Sequence, residues 1–566
     1  MKTILPPLLF LLPLVLAAQT FTPLTDDPIA NDSTALGCAW GDMDDDGFPD
    51  LITSTPQLYR NNGDGTFSVS FQSDFNAGGG ISGTIGDYNN DTKPDFYTAS
   101  LSTAGKLFRN DGTGNLERVL SEPFNSDSSD FQSASWVDLE NDGRLDLYVT
   151  AGGNVGFRDN YLYRNNMDGT FSRDSTSLIA QDSSGTTHCA WGDFDNDGFA
   201  DLYLANNFPS TDSLANYCYQ NNGDGTFRRI TDGPIVTDQF SSFGASWGDY
   251  DNDGDLDLFV TNVGTDQLYQ NNGDGTFTAI RNRPINGDTR LSIGSAWADY
   301  DNDGDLDLIV SRLGTGNSLF DNQGDGTFVE VIGEPFTLHE GFGCTWADWD
   351  RDGDLDLFFA RADGGRHRPY TNRGNNNNWI SIRALGTLSN TMGIGARIEL
   401  VATINGQSVR QIREISGQTG ALGQSEPRAH FGLGDATSLD TLLIRWPTGA
   451  VQQEIDVAIN QHLTIVEDFG SAVTENPPSS AVTRFAIFPN PVDAAATLQF
   501  DLQRPAQIAI QFTDATGRTV HILGASTYAA GQHRVAWPGE ALASGWYHCR
   551  LVVDGQTILL RRVVVP

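Results

Sequence analysis

Basic residues are scarce in this chain. Lysine and arginine together number 34 against 73 aspartates and glutamates, a formal net charge of −39 over 566 residues, and lysine itself is rare. A surface of that sign repels nucleic acid and anionic lipid, so neither is expected as a partner. Cysteine is equally sparse: five residues without a Cys-x-x-Cys pair exclude a disulfide-framework fold and a cysteine zinc ribbon. The eight histidines are scattered, with no His-Glu-x-x-His of a zinc hydrolase. Beyond the N-terminus no apolar run reaches the length of a spanning helix. What is present is 39% apolar and 10% aromatic residues, enough for packed cores, and 61 glycines. The length fits three to five domains, or one large repeat domain with extras.

The first residues read as an address. Met1-Lys2, the apolar stretch Ile4 to Leu16 and the small Ala17-Ala18 before Gln19 predict a secretory signal peptide over residues 1–18. The run is shorter than the ~20 residues of a spanning helix, and Pro6, Pro7 and Pro13 interrupt it.

One acidic pattern then recurs seven times. Loops begin at Asp42, Asp87, Asp138, Asp193, Asp249, Asp299 and Asp348, in steps of 45, 51, 55, 56, 50 and 49 residues. The clearest copy is Trp297-Ala298-Asp299-Tyr300-Asp301-Asn302-Asp303-Gly304-Asp305-Leu306-Asp307, with Asp at positions 1, 3, 5 and 9 and Gly at position 6. Alternate carboxylates in a tight loop converge on one point, which suits a hard cation wanting six to eight oxygens, and glycine admits the positive φ of the turn. The spacing marks as calcium ligands Asp42, Asp44, Asp46 and Asp50; Asp87, Asn89, Asp91 and Asp95; Asp138, Glu140, Asp142 and Asp146; Asp193, Asp195, Asp197 and Asp201; Asp249, Asp251, Asp253 and Asp257; Asp299, Asp301, Asp303 and Asp307; and Asp348, Asp350, Asp352 and Asp356. An EF-hand is excluded, because it needs a Glu at position 12 where this chain has Val310 and Val260. The residues after each loop read as strand, so up to seven ions are expected in turns between strands. The second loop, with Asn89 at position 3 and Thr92 in place of glycine, is expected to bind most weakly, and the third carries the longer Glu140. These loops hold 31 of the 73 acidic residues, and seven calcium ions would take −39 to about −25.

A second motif, Asn61-Asn62-Gly63-Asp64-Gly65-Thr66-Phe67, recurs ending at Phe171, Phe227, Phe277 and Phe328 and reads as a hairpin turn entering a strand. Each unit thus holds several short strands that cannot bury both faces alone, so units must stack. An all-β fold follows: a seven-bladed β-propeller with calcium loops, then a small β-domain and a C-terminal β-sandwich. The seventh unit lacks a Gly-Thr-Phe strand, and Gln19-Thr20-Phe21 matches the missing piece. The N-terminal strand is therefore expected to complete the last blade, as a closed ring requires and an open solenoid does not. These residues resemble the FG-GAP and VCBS repeat family, whose blades carry calcium loops, over about residues 19–376.

Several tempting sites dissolve in the repeats. Gly244-Ala245-Ser246-Trp247-Gly248 fits a nucleophile elbow, but the same slot holds Gly294-Ser295-Ala296-Trp297-Ala298 and Gly37-Cys38-Ala39-Trp40-Gly41, so Ser246 reads as scaffold. Cys38, Cys189 and Cys344 share one small-residue position; a Cys38–Cys344 bridge stays open. Insertions near Ala151–Asn160 and Ala205–Asp212 read either as tolerated surface loops or as part of a binding face, with Phe157, Arg158 and Phe208 as candidate ligand contacts.

From Asn377 the period is lost. Gly393-Ile394-Gly395-Ala396-Arg397, His430-Phe431-Gly432-Leu433-Gly434 and Trp446-Pro447-Thr448-Gly449 punctuate strands over residues 377–467, which resemble the ASPIC/UnbV domain. Its place after such repeats resembles the cartilage acidic protein family, which implies a secreted, calcium-binding, matrix- or surface-associated role with no catalytic residues to carry over. Residues 468–483 read as a linker. Residues 484–566, with Pro489-Asn490-Pro491, Asp514-Ala515-Thr516-Gly517-Arg518, Gly545-Trp546-Tyr547 and the basic-apolar end Arg561-Arg562-Val563, resemble the type IX secretion sorting domain. That resemblance implies outer-membrane passage through the type IX machinery, then release or surface attachment. The expected function is non-catalytic recognition or adhesion outside the cell, toward a glycan, matrix or surface protein. The rivals are a hydrolase or lyase acting on extracellular polysaccharide, and a structural spacer.

Overall fold

In the computed structural model, strands form where the sequence alternates or runs apolar between glycine turns. The structure describes residues 21–468 and 482–565, apart from 32–34, 73–79, 121–122, 125, 128, 154–155, 167, 208–214, 282–283, 286–288, 361–364, 489–494, 503, 514–518, 539–544 and 554–555. The expected signal peptide, Phe208, the Pro489-Asn490-Pro491 start, the Asp514–Arg518 turn and nearly all of the linker lie outside the described residues. Among the described residues no helix is long and apolar enough to cross a membrane.

Seven sheets of antiparallel strands follow one another, as in a β-propeller. Blade six shows the plan: Leu291–Ala298, Asp307–Leu313, Ser318–Asn322 and Phe328–Val331, each paired with the next. The first strand carries the Trp, and the acidic loop joins it to the second. The hairpin Asn322-Gln323-Gly324-Asp325-Gly326-Thr327 joins the third to the fourth, whose first residue is Phe328.

The rings of neighbouring blades interlock. Trp297 stacks on Tyr250 of the preceding blade, centroids 6.3 Å apart, and Phe328 packs on both. Trp247, Phe194 and Phe277 repeat the arrangement one blade back. Burial of large aromatics on this scale is where most of a blade's stabilisation comes from.

The ring closes as its ends foretell. Phe21–Pro23 pairs with Arg368–Asn372 as the fourth strand of blade seven. Phe21 packs against Trp346 and Tyr300, the place Phe328 takes in blade six. Across the seam, Trp40 of blade one stacks on Trp349 of blade seven at 5.5 Å.

A polar staple runs around the same circle. In the hairpin motif the first Asn ends the third strand, and its amide donates to the carbonyl at loop position 2 of the preceding blade. The bonds run Asn110 to Met43, Asn165 to Tyr88, Asn221 to Leu139, Asn271 to Phe194, Asn322 to Tyr250 and Asn372 to Tyr300, at 2.7–3.0 Å. Asn61 donates to Trp349 at 2.8 Å and so joins blade one to blade seven. The motif reads in sequence as turn chemistry alone; this inter-blade role belongs to the fold.

All five cysteines are buried, and Cys38, Cys189 and Cys344 are free thiols, in keeping with the small-residue reading and without a Cys38–Cys344 bridge. Ser246 lies inside a strand with its hydroxyl 2.8 Å from that of Ser295, as scaffold.

Two further groups of strands follow. The sheets Ala429–Gly434/Asn378–Leu385/His462–Val466 and Gln407–Glu414/Arg397–Ile404/Leu439–Arg445/Val451–Glu454 make a second domain. Its core of Ile380, Leu400, Phe431, Leu433 and Ile444 is continuous with that of blades two and three. At the C-terminus one sheet of three strands and one of four share a separate core that includes Phe500, Ile510, Phe512 and Trp537.

The staple predicts its own test. Asn61→Ala leaves the buried carbonyls of Trp349 and Pro49 without their donor and should cost about 1–3 kcal/mol. Urea unfolding reads this as a lower midpoint, matched by Asn322→Ala within the ring; an unchanged midpoint for Asn61→Ala would mean that the seam does not depend on this contact.

Candidate metal centres and the domain seated on them

The acidic loops hold their shape through their own carboxylates. In blade six, Asp299 Oδ1 accepts the Asp303 N–H at 3.0 Å and Oδ2 accepts the Gly304 N–H at 2.9 Å. Asp303 accepts from Asp305 at 3.1 Å. Asp307, position 9, accepts the N–H of Asn322 at 2.8 Å and of Tyr300 at 3.2 Å, tying the loop to the third strand. Gly304 has φ 106°, as position 6 predicts, and Asn302 before it has φ 60°. The same left-handed position 4 holds Asp45, Asn90, Asn141, Asn196, Asn252 and Arg351. Asparagine tolerates this region better than most residues, and its amide reaches on: Asn302 donates to Gly353 of the next loop at 3.0 Å, and Asn252 to Gly304 at 3.1 Å.

These bonds leave some carboxylate oxygens over. Ligand-capable oxygens lie within 4.8 Å of one another in five groups: Asp42, Asp44 and Asp50; Asp193, Asp195 and Asp197; Asp249, Asp251 and Asp257; Asp299, Asp301 and Asp303; Asp348, Asp350 and Asp356. Asp42 Oδ1, Asp251 Oδ1, Asp301 Oδ1, Asp348 Oδ1 and Asp350 Oδ1 are buried with no hydrogen-bond partner. Burial first, then neighbouring carboxylates, push Asp301 and Asp348 up to about 7 and Asp350 to about 6; burial likewise lifts Asp249 to about 7. Clustered oxygens that resist ionisation and lack donors fit a hard divalent cation, whose charge reverses that cost.

Loops two and three differ and do not appear among the five groups. In loop two Thr92 takes φ 73°, and Asn89 is spent accepting the Asp91 N–H at 3.0 Å. In loop three the guanidinium of Arg164 sits between Glu140, at 2.6 Å, and Asp146, at 3.1 Å. A fixed cation already stands there; Arg60, at the same strand position, pairs likewise with Asp44 and Asp46 of loop one, which nevertheless keeps Asp42, Asp44 and Asp50 convergent. The sequence singles out loop two; the arginine comes from the third strand, beyond the reach of loop spacing.

The second domain sits on this face. Arg383 lies 3.8 Å from Asp42, Thr391 donates to Asp87, and Asn390 donates to Asp138 at 3.4 Å. The Asp193 N–H donates to Glu414 at 3.3 Å, the charge of Arg413 acts on Asp249, the Gly432 N–H donates to Asp299 at 3.0 Å, and His462 stands 3.1 Å from Asp348. Six of the seven position-1 aspartates therefore meet it directly, and loop five meets it through Arg410, which donates to the Asp253 carbonyl at 3.3 Å. Arg397 adds bonds to Asn196 and to the Gly254 carbonyl.

Residues 416–425 then descend into the ring. Gly423-Gln424 pairs in parallel with Cys38-Ala39 as a fifth strand of blade one. Gln424 accepts the Ile85 N–H at 2.6 Å, the Gly417 carbonyl accepts from Thr84 at 2.6 Å, and Trp346 donates to Ser425 at 3.1 Å. A Cβ on Gly417 would stand 2.2 Å from the Trp136 carbonyl oxygen, and one on Gly420 2.0 Å from that of Ser295. The glycines at 417, 420 and 423 are the signal in the sequence for this close approach.

An inserted segment lies at the other end. Successive antiparallel strands put the first-to-second and third-to-fourth connections on one face and the second-to-third on the opposite one. The segment after Ala151 is a second-to-third connection, so its described residues, 152–153 and 156–160, occupy the face that the second domain leaves open; of the insertion after Asn206, residues 208–214 lie outside the described residues. Phe157 is 44% exposed there, and Arg158 pairs with Ser184 through their backbones.

Known proteins bear on this architecture as follows. Residues 87–149, 151–204, 207–260, 249–310 and 299–359 match the FG-GAP-like repeat. Residues 386–472 match ASPIC and UnbV, and residues 486–566 the secretion system C-terminal sorting domain. No curated protein matches the chain. Similar solved structures include an Agrocybe aegerita lectin specific for non-reducing terminal N-acetylglucosamine, at 18% identity over 59% of this chain and 93% of that one, TM-score 0.39. The six-bladed fucose-recognising lectin of Aleuria aurantia matches at 10% over 54% and 98%, TM-score 0.31. PorZ, a type-IX secretion surface component of Porphyromonas gingivalis, matches at 12% over 94% and 82%, TM-score 0.21. Likenesses this low carry no function across.

The seating predicts that Gly420→Val, by driving a side chain into Ser295, lifts the second domain from the ring. Limited proteolysis should then cut within residues 386–467 at least tenfold faster than in the parent chain. Equal protection would show that the insertion does not hold the domain down.

Proposed function

We propose that this chain, which carries FG-GAP-like repeats, an ASPIC and UnbV segment and a secretion system C-terminal sorting domain, is an exported calcium-loaded propeller that recognises a glycan, matrix or surface protein without catalysing a reaction. The sorting domain supports export by the type IX system to the surface or the medium. The observation that carries the recognition reading is the division of faces. The acidic-loop face is covered by the second domain at all seven blades, while the opposite face keeps the inserted segment with Phe157 and Arg158.

Calcium, when bound, supplies a fixed double positive charge at the converging carboxylates. The chain's own groups do the rest. Five loops offer three or more convergent acidic ligands. Loop three offers Arg164 instead, and loop two a reduced set. The propeller is thereby held rigid as a platform, and the covering domain is held by the same loops. Two carboxylates outside the loops, Glu414 and Glu426, are already engaged, with the Asp193 N–H at 3.3 Å and with Arg428 at 2.8 Å. That engagement supports a non-catalytic role over the hydrolase or lyase alternative.

Two outcomes are expected. Calorimetric titration of the chelated full chain should find five calcium sites rather than seven, at the ~10⁻⁴–10⁻³ M affinities of extracellular modules, and EDTA should lower the melting temperature. An unchanged melt in EDTA would remove the metal reading. In a screen of glycans and matrix proteins, Phe157→Ala and Arg158→Ala should weaken the binding found at least tenfold, about 1.4 kcal/mol. New reducing ends in the same reactions would overturn the non-catalytic reading.

A further inference from the structure

On the open face, blades three and four share a side-chain arrangement that the other five lack. Their third strands, Tyr161–Asn165 and Tyr217–Asn221, begin with tyrosine, where the others begin with Gln57, Lys106, Gln267, Ser318 and Arg368. A third strand begins at the open face and a fourth strand ends there, so an arginine near the end of the fourth strand reaches the ring. The Arg173 guanidinium carbon lies 3.9 Å from the centre of the Tyr161 ring, and that of Arg229 lies 3.7 Å from the centre of the Tyr217 ring. At that range the cation and the ring hold each other in place.

A carboxylate from the crossover entering the same blade completes each set. Arg173 pairs with Asp127 at 3.2 Å, and Arg229 with Asp182 at 3.1 Å. The second tyrosine of each strand donates to the same carboxylate, Tyr163 at 3.2 Å and Tyr219 at 2.6 Å. Blade five repeats this brace with Tyr269, Asp238 and Arg281, at 3.1 and 2.8 Å, yet has Gln267 in place of the first tyrosine. The brace therefore stands without that tyrosine, and Tyr161 and Tyr217 are additions to it. Both are half-buried, and among the described residues neither hydroxyl has a hydrogen-bond partner. Arg173 and Arg229 keep 36% and 37% of their side-chain surface, and Asp127 and Asp182 keep 17% and 23%, so each set is open to solvent.

The inserted segment of blade three lies between the two sets. Arg158 and Ser184 exchange both backbone hydrogen bonds at 3.0 Å. Arg158 thus stands three residues before Tyr161 along the chain and, through Ser184, beside the crossover that carries Asp182.

We infer, resting on the open-face reading above, that the ligand is a neutral polysaccharide laid across blades three and four, with one sugar unit at Tyr161 and Arg173 and a later unit at Tyr217 and Arg229. A phenol hydroxyl donates and accepts, a guanidinium donates and a carboxylate accepts, which matches the hydroxyls of a sugar. Arginine and aspartate cancel within each set, so the ligand needs no net charge. Two like sets on neighbouring blades suit a chain of like units, and engaging both raises affinity beyond either alone. The exposed Phe157 ring between them offers apolar contact to the C–H faces of the intervening units.

The test uses the calcium-loaded full chain in calorimetry, with dextran, laminarin, xylan and galactomannan as probes and with alginate and collagen as acidic and protein comparisons. At least one neutral polysaccharide should bind saturably, and its hexasaccharide should bind at least tenfold tighter than its disaccharide. Tyr161→Phe and Tyr217→Phe each remove one unpartnered hydroxyl. Each should weaken binding about fivefold, and the pair at least twentyfold, at an unchanged melting temperature. Tyr269→Phe, in the blade with the brace alone, should leave binding unchanged. Binding that Phe157→Ala abolishes and the double variant keeps would overturn this inference and leave the open-face reading standing. So would binding of alginate or collagen alone, or equal affinity for disaccharide and hexasaccharide. Binding of none of the six probes would overturn both.

Discussion

Like charge gathered out of water is the constraint on which this molecule depends. Each acidic loop uses carboxylates as its internal braces, because a short loop folded back on a sheet has backbone N–H groups to satisfy and little else to satisfy them. Those braces must be buried to brace anything. Burial lifts Asp301 and Asp348 toward neutral pH and sets neighbouring carboxylates against one another. The fold answers in three ways: convergent oxygens shaped for a cation in five loops, Arg164 in the third, and the arginines and backbone donors of the second domain over all of them.

That answer explains how two domains share one surface. The second domain is basic where it meets the ring, through Arg383, Arg397, Arg410 and Arg413, in a chain otherwise poor in cations. Its contact with the propeller also runs through a common hydrophobic core and through a strand added to blade one. The two parts share one surface, and the acidic loops, with 31 of the 73 acidic residues, are turned toward it.

The division of labour between faces follows from strand alternation. A blade can lengthen its second-to-third connection without disturbing loops or hairpins at the other end, so the described residues of the insertion after Ala151 leave the braced face untouched. The ring is carried by the Trp–aromatic stacks and by the seven Asn bridges, which repeat without exception across the seam between Asn61 and Trp349.

Much of this was legible in the residues. The fifty-residue period, the left-handed glycine at position 6, the convergence of Asp299, Asp301 and Asp303, and the use of Phe21 to finish blade seven are local or periodic properties. Local properties survive in a one-dimensional pattern because the same short segment makes the same bonds each time. The bridging amides of Asn61 and Asn322, the guanidinium of Arg164 beside Glu140, and the descent of residues 416–425 into the ring could not be read that way. Each joins residues tens to hundreds apart in sequence through one side chain, and only closure of the ring and seating of the second domain bring such partners within reach.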